Sequence, residues 1–166
     1  MKNLLTILCL IASLFAYTQE REVWGTEVPK SLDKKPHSGR YTPREVEKMA
    51  ILKECKSVDE NNKSELQLCL ADEFRNKISQ KFSEFDKIAD GLQLSESTIK
   101  IFFVLSKEGE IKDIKTYDFG SKELSAFCAE ALENLNSKIQ FEPAQIDGEK
   151  VDLVFQLPVK YIRNRE

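Results

Sequence analysis

The chain has 166 residues, 41% of them hydrophobic and 32% charged, a balance that fits one globular domain with an export signal and a short tether, and that excludes a disordered chain or a membrane bundle. This length leaves no room for two full domains. A formal net charge of -3 provides no global positive field, so nucleic-acid binding is set aside as a function class.

Residues 1–18 have the order of a secretory signal: a positive end at Lys2, an apolar run from Leu4 to Tyr17, then polar sequence, with a cut expected after Ala16 or Thr18. As a helix the run would reach about 21 Å against a hydrocarbon core of about 30 Å, which favours a cleaved signal over a short retained anchor. Cys9 lies inside the run behind Thr6-Ile7-Leu8, which speaks against a lipidated cysteine. The mature protein is therefore expected in the periplasm. Residues 19–49 carry Pro29, Pro36 and Pro43 among many charges without a sustained period and read as a polar tether. The only histidine, His37, falls in this stretch and reads as a loop residue. No zinc-ligand spacing occurs, so no metal is expected.

The domain is expected over 50–166. Ser64 and Gln67 have the spacing of a capping box, and Leu66, Leu70, Phe74, Ile78, Phe82 and Phe85 then recur every three or four residues, which predicts one amphipathic helix. After Asp90-Gly91 the period changes. Ile99, Ile101, Phe103 and Leu105 alternate with Thr98, Lys100, Phe102 and Val104, a strand pattern with two rather apolar faces, which predicts a central position. Lys107-Glu108-Gly109-Glu110 supplies turn chemistry, and Ile111 to Tyr117 reads as the hairpin partner.

Ser121 is placed to cap a second helix in which Leu124, Phe127, Cys128, Ala131 and Leu135 share one face. After Asp147-Gly148, a tight-turn pair, Val151, Leu153, Phe155, Leu157, Val159 and Tyr161 alternate with outward residues and predict a last strand. Pro158 lacks the N–H that a fully paired strand donates, so this strand is expected at a sheet edge. The expected fold class is α+β: an αββαβ order with a small antiparallel three-stranded sheet and helices on one face.

Without the signal, three cysteines remain in an oxidising compartment and can form one bridge. Cys128 falls on an apolar helix face, whereas Cys55 and Cys69 flank a polar stretch, so Cys55–Cys69 is the favoured pair.

From Phe103 onward the chain resembles the C-terminal domain of TonB-type energy transducers. The matching pieces are Phe103 to Gly109 with its Ile111–Ile114 continuation, the Ala129–Leu135 helix, Phe141-x-Pro143-Ala144, Asp147-Gly148-x-Lys150-Val151, and Leu157-Pro158-Val159-x-Tyr161. Upstream, Cys55, Cys69 and the Phe74–Phe82 helix are similar to a paired-cysteine lead-in of Bacteroidetes-type members, with Lys53-Glu54-Cys55 where Pro-Gly-Cys is usual. The resemblance implies a periplasmic domain that grips a peptide of a TonB-dependent outer-membrane receptor, or another envelope protein, by β-augmentation, with an ExbB/ExbD-type complex supplying energy. A tether of about thirty residues spans only about 30 Å by the square-root rule, which argues against force transmission but not against peptide binding.

The peptide-binding strand would then be the last one, with Asp152, Val154, Gln156 and Pro158 at its edge. The competing expectation is that the N-terminal arm covers that edge; the alternative function is a stand-alone structural or regulatory domain without energy transduction, and a homodimer is a further option. No catalytic residues and no cofactor are expected, since the sequence holds no Ser/His/Asp or Cys/His set and no glycine-rich phosphate cradle.

Overall fold

Two long strands with strict alternation organise the domain. The computed structural model describes residues 39–118 and 121–163; the expected signal, Trp24 and His37 lie outside the described residues. In chain order the elements are β1 (Arg40–Tyr41), β2 (Ile51–Leu52), a tight helical turn over Lys53–Cys55, α1 (Lys63–Ser79), α2 (Phe82–Gly91), β3 (Glu96–Leu105), β4 (Ile111–Asp118), α3 (Lys122–Glu133), β5 (Phe141–Glu142), β6 (Ala144–Ile146) and β7 (Glu149–Ile162). The protein is thus a mixed α+β fold. Among the described residues, no helix is long and apolar enough to cross a membrane.

The main sheet has the order β1-β7-β3-β4, with β6 also paired to β7. It therefore has five strands instead of the expected three, because two short strands join the three long ones. β3 and β7 pair antiparallel without a break from Glu96↔Ile162 to Leu105↔Leu153. β4 returns antiparallel to β3 with a bulge between Phe102 and Val104. β1 lies parallel to β7 at Arg40↔Asp152 and Tyr41↔Leu153. Asp147 and Gly148 both have positive φ, as a tight two-residue hairpin between β6 and β7 requires.

One face of the sheet carries the core. Ile99, Ile101, Phe103 and Leu105 of β3 and Leu153, Phe155, Leu157, Val159 and Tyr161 of β7 are nearly inaccessible and belong to one cluster with residues of all three helices. Phe74 of α1 meets Phe103 edge-on at 5.0 Å, and Phe85 of α2 meets Tyr161 edge-on at 4.9 Å. These edge-to-face contacts add to the area that the aromatic rings remove from water.

The expected first helix is two helices. α1 begins one residue before Ser64: the Asn62 side chain accepts the Glu65 N–H at 3.2 Å, and the Glu65 carboxylate accepts from the Asn62 amide at 3.0 Å. Asn62, not Ser64, is the cap. The helix then breaks at Gln80–Lys81, so Phe82 and Phe85 sit on a separate helix. The second helix starts as read from sequence, with the Ser121 hydroxyl accepting the Leu124 N–H at 3.1 Å.

Packing begins earlier than the expected domain start at residue 50. Val46 and Met49 are each 1% exposed, so the end of the expected tether belongs to the core. Thr42 makes the turn that brings them in, donating from its N–H and hydroxyl to the Glu45 carboxylate at 2.7 and 2.8 Å. The same two bonds hold the Glu45 carboxyl below its ordinary range.

Candidate functional site

β7 is exposed to pairing along one side only. Next to β3 it is fully occupied, and on its other edge β1 covers Asp152 and Leu153. From Val154 to Ile162 no strand lies beside that edge among the described residues. Such an edge presents unpaired N–H and C=O groups to an incoming chain.

The four expected site residues divide between these two parts. Asp152 is engaged: it is in register with Arg40, and its carboxylate accepts the Lys107 N–H at 2.9 Å. Val154, Gln156 and Pro158 lie beyond the end of β1, with Val154 half-buried and the other two exposed. Pro158 is in register with Lys100 of β3 in an unbroken ladder. A residue without an N–H fits such a ladder only where its nitrogen faces away from the partner strand. Backbone groups alternate in direction along a strand, so Val154, Gln156 and Lys160 share that outward direction with Pro158. Lys160 joins the four expected residues, since the same alternation places it with them. Its ammonium pairs with Glu96 at 3.3 Å.

The open section ends in a firm anchor. Tyr161, on the core face, donates its hydroxyl to Asp86 of α2 at 2.5 Å. Burial, together with that bond, pushes the Tyr161 hydroxyl up to about 12. The Arg163 N–H bonds the Ser95 carbonyl at 2.9 Å, and the Arg163 guanidinium pairs with Asp90.

The opposite edge of the sheet, β4, is obstructed at its start. Asn136, just after α3, accepts the Ile111 N–H at 2.7 Å and donates its amide to the Ile111 carbonyl at 3.2 Å. The side chain therefore occupies both backbone groups as a neighbouring strand would. Two residues on, Asp113 adopts a left-handed backbone at the bulge, which interrupts regular pairing. No periodicity announces Asn136, because it acts from a loop on a strand distant in sequence.

Cys55 and Cys69 are bonded and tie the turn after β2 to α1. Cys128 is a free, buried thiol on α3, and burial pushes it up to about 12. It is placed as a small core residue, away from reactive chemistry. No group of three or more His, Cys, Asp or Glu side chains converges among the described residues.

The described residues define a class: a helix-backed α+β sheet in which no strand lies beside β7 past the end of β1, while side-chain bonds and a bulge interrupt the start of the β4 edge. Compared with known proteins, the chain matches no family model, no curated protein and no solved structure.

Proposed function

We propose that this chain is a periplasmic, TonB-like binding module that takes an extended segment of an outer-membrane receptor or another envelope protein as an added strand along Val154 to Ile162 of β7. The observation that carries this reading is the contrast between the two sheet edges: among the described residues no strand lies beside β7 past the end of β1, whereas Asn136 and the bulge at Asp113 obstruct the start of β4. Backbone pairing supplies the affinity, and the outward side chains Val154, Gln156, Pro158 and Lys160 select the partner. Export is supported by the apolar run after Lys2 and by the Cys55–Cys69 bridge, which persists in an oxidising compartment. On this reading the protein is a binding module and not an enzyme, and coupling to TonB-dependent transport is its further consequence in a cell that supplies an ExbB/ExbD-type complex.

A second reading has one observation behind it. β1 already covers Asp152 and Leu153, so the chain's own N-terminal part closes the first stretch of the edge, as in a stand-alone structural or regulatory domain.

Peptide titration by NMR separates the two. Receptor-derived peptides should shift the amides of Val154, Gln156 and Lys160. Gln156→Pro removes one outward donor of the same parity as Pro158 and clear of β1, whose register ends at Leu153, so it should leave β3 pairing intact and weaken binding. Shifts confined to α1 and α2, with β7 untouched, would refute strand addition.

A further inference from the structure

Away from β7, the C-terminal end of α1 and the loop after α3 form a basic hollow of about 240 Å³, lined by Lys77, Gln80, Lys81, Leu135, Lys138 and Ile139. We propose that this hollow binds a phosphate ester: the phosphate between the three ammonium groups, and the adjoining apolar part of the ligand over Leu135 and Ile139. The inference is independent of the strand-addition reading and uses none of its residues.

The lining has an unusual charge balance for a protein with a net charge of -3: three lysines and no carboxylate. Lysines near a helix C-terminus are common because they complement the macrodipole, and Lys77 and Lys81 fit that description. Both also have acids beside them outside the hollow, Lys77 with Glu54 at 2.8 Å and Lys81 with Glu84 at 3.6 Å.

Lys138 does not fit it. It comes from the far end of α3's loop, where Lys138 and Ile139 both bond back to the Leu135 carbonyl, at 2.8 and 2.9 Å. Those bonds fix the backbone of a residue that lines the hollow, and among the described residues its ammonium has no ion-pair partner. Lys138 thus adds to the lining a positive charge that no acid among the described residues offsets, and an anion in the hollow would offset it. The α1 C-terminus opposes an anion with roughly half a charge, against the full charge of Lys138 and the partly offset charges of Lys77 and Lys81.

The hollow is small beside ordinary ligand pockets of about 300–1,000 Å³, which suits a single headgroup. Its floor residues Leu135 and Ile139 are 8% and 6% exposed, an apolar surface that favours an ester over a bare ion. A larger cleft of about 410 Å³ beside β2 and β5 also contains two lysines, but its lining includes Glu142, which already pairs with Lys56 at 2.8 Å. In that cleft the acid lies in the lining itself, whereas in the hollow the acids that pair with Lys77 and Lys81 lie outside it and Lys138 has no ion-pair partner among the described residues.

A phosphate ester reaches the hollow either as a soluble metabolite or as a phospholipid headgroup. The test uses the full chain labelled with nitrogen-15, titrated in one arm with glycerol 3-phosphate and in the other with vesicles of phosphatidylglycerol, with phosphatidylcholine vesicles as the uncharged reference. Saturable amide shifts at Gln80, Lys81 and 135–139 with glycerol 3-phosphate identify a soluble ester. Broadening of the same amides by phosphatidylglycerol alone identifies a headgroup. Lys138→Ala, which keeps both backbone bonds to Leu135, should weaken either response about tenfold, the loss expected for one charge-assisted bond. Lys138→Gln serves if the alanine variant is poorly folded, and Lys160→Ala should have no effect. Absence of a saturable response in both arms, or a response that Lys138→Ala leaves unchanged, overturns the proposal.

Discussion

Arg40 on β1 and Asp113 on β4 form an ion pair, so one charge pair links the two outermost strands of the sheet order across β7 and β3. Since the core fills the other face, the bridge crosses the side away from the helices. Both partners are more than two-fifths exposed, at 42% and 46%, and an exposed pair of this kind contributes about 0.2–1 kcal/mol. Its structural role is larger than that energy, because β1 is two residues long and marks where the open edge of β7 begins. Arg40→Ala should lower stability by less than about 1 kcal/mol, more at low salt than at high. Hydrogen exchange should speed up at Tyr41, Asp152 and Val154, whose N–H groups lie between β1 and β7, while β3 stays protected. Unchanged exchange at β1 would mean that backbone pairing alone holds it.

The Cys55–Cys69 bridge closes a loop with a sequence separation of 14. In the chain-entropy model a loop of this size stabilises the fold by about 3 kcal/mol. Cys55 is fully buried, so replacing it by serine would add a polar group to the core; the paired Cys55→Ala/Cys69→Ala variant is the cleaner test. Urea unfolding should show a loss of about 3 kcal/mol for that variant. A loss below about 1 kcal/mol would mean that packing of α1 against β2 and the turn over Lys53–Cys55 holds the segment without the bridge.

Stability should fall in alkali for two buried groups. Cys128 is raised from 9.0 to about 12 by burial, and Tyr161 from 10.0 to about 12 by burial and its bond to Asp86. Each is neutral in the folded protein over a range where the unfolded chain ionises. Their contribution is therefore fully present below pH 9 and is lost as pH rises from there towards 12. Unfolding midpoints measured between pH 8 and 11.5 should fall for the wild type and fall less steeply for Cys128→Ala/Tyr161→Phe. Parallel slopes would assign the alkaline loss to other groups.

The legible parts of this fold are those whose signal is local. β3 and β7 declare themselves by alternation over many residues, and Ser121 declares its helix through a capping hydroxyl three residues from its partner N–H. The start of α1 was misread because two overlapping box patterns exist, Asn62 with Glu65 and Ser64 with Gln67, and only packing selects the first. The break at Gln80–Lys81 has neither proline nor glycine, so the apolar spacing ran through it. β1, β2, β5 and β6 are two or three residues long and exist only through pairing with distant segments, which no periodicity reports. At the candidate site, Pro158 carried the edge signal, whereas the arm at Asp152 and the obstruction by Asn136 are long-range contacts.

Asn136 gives the sharpest test of why one edge is open and the other is not. Its side chain satisfies both the N–H and the C=O of Ile111, at 2.7 and 3.2 Å, and Ile111 is itself a buried residue at 4% exposure. Asn136→Ala leaves those two backbone groups without their partner, and the cost of orphaning part-buried groups is about 1–3 kcal/mol. Asn134→Ala, two residues earlier, removes only a side chain at the exposed end of α3 and should stay within about 0.5 kcal/mol of the wild type. Freed backbone groups at the start of β4 would also offer a second edge, so Asn136→Ala should self-associate more than the wild type in sedimentation velocity at matched concentration. Lys112, which pairs with Glu108 and Glu110 at 3.1 Å each, keeps charge at that edge and limits the association. If Asn136→Ala unfolds at the wild-type urea midpoint and remains as monomeric as the wild type, the amide does not guard β4. In that case the choice of β7 over β4 as the docking edge loses its main physical reason.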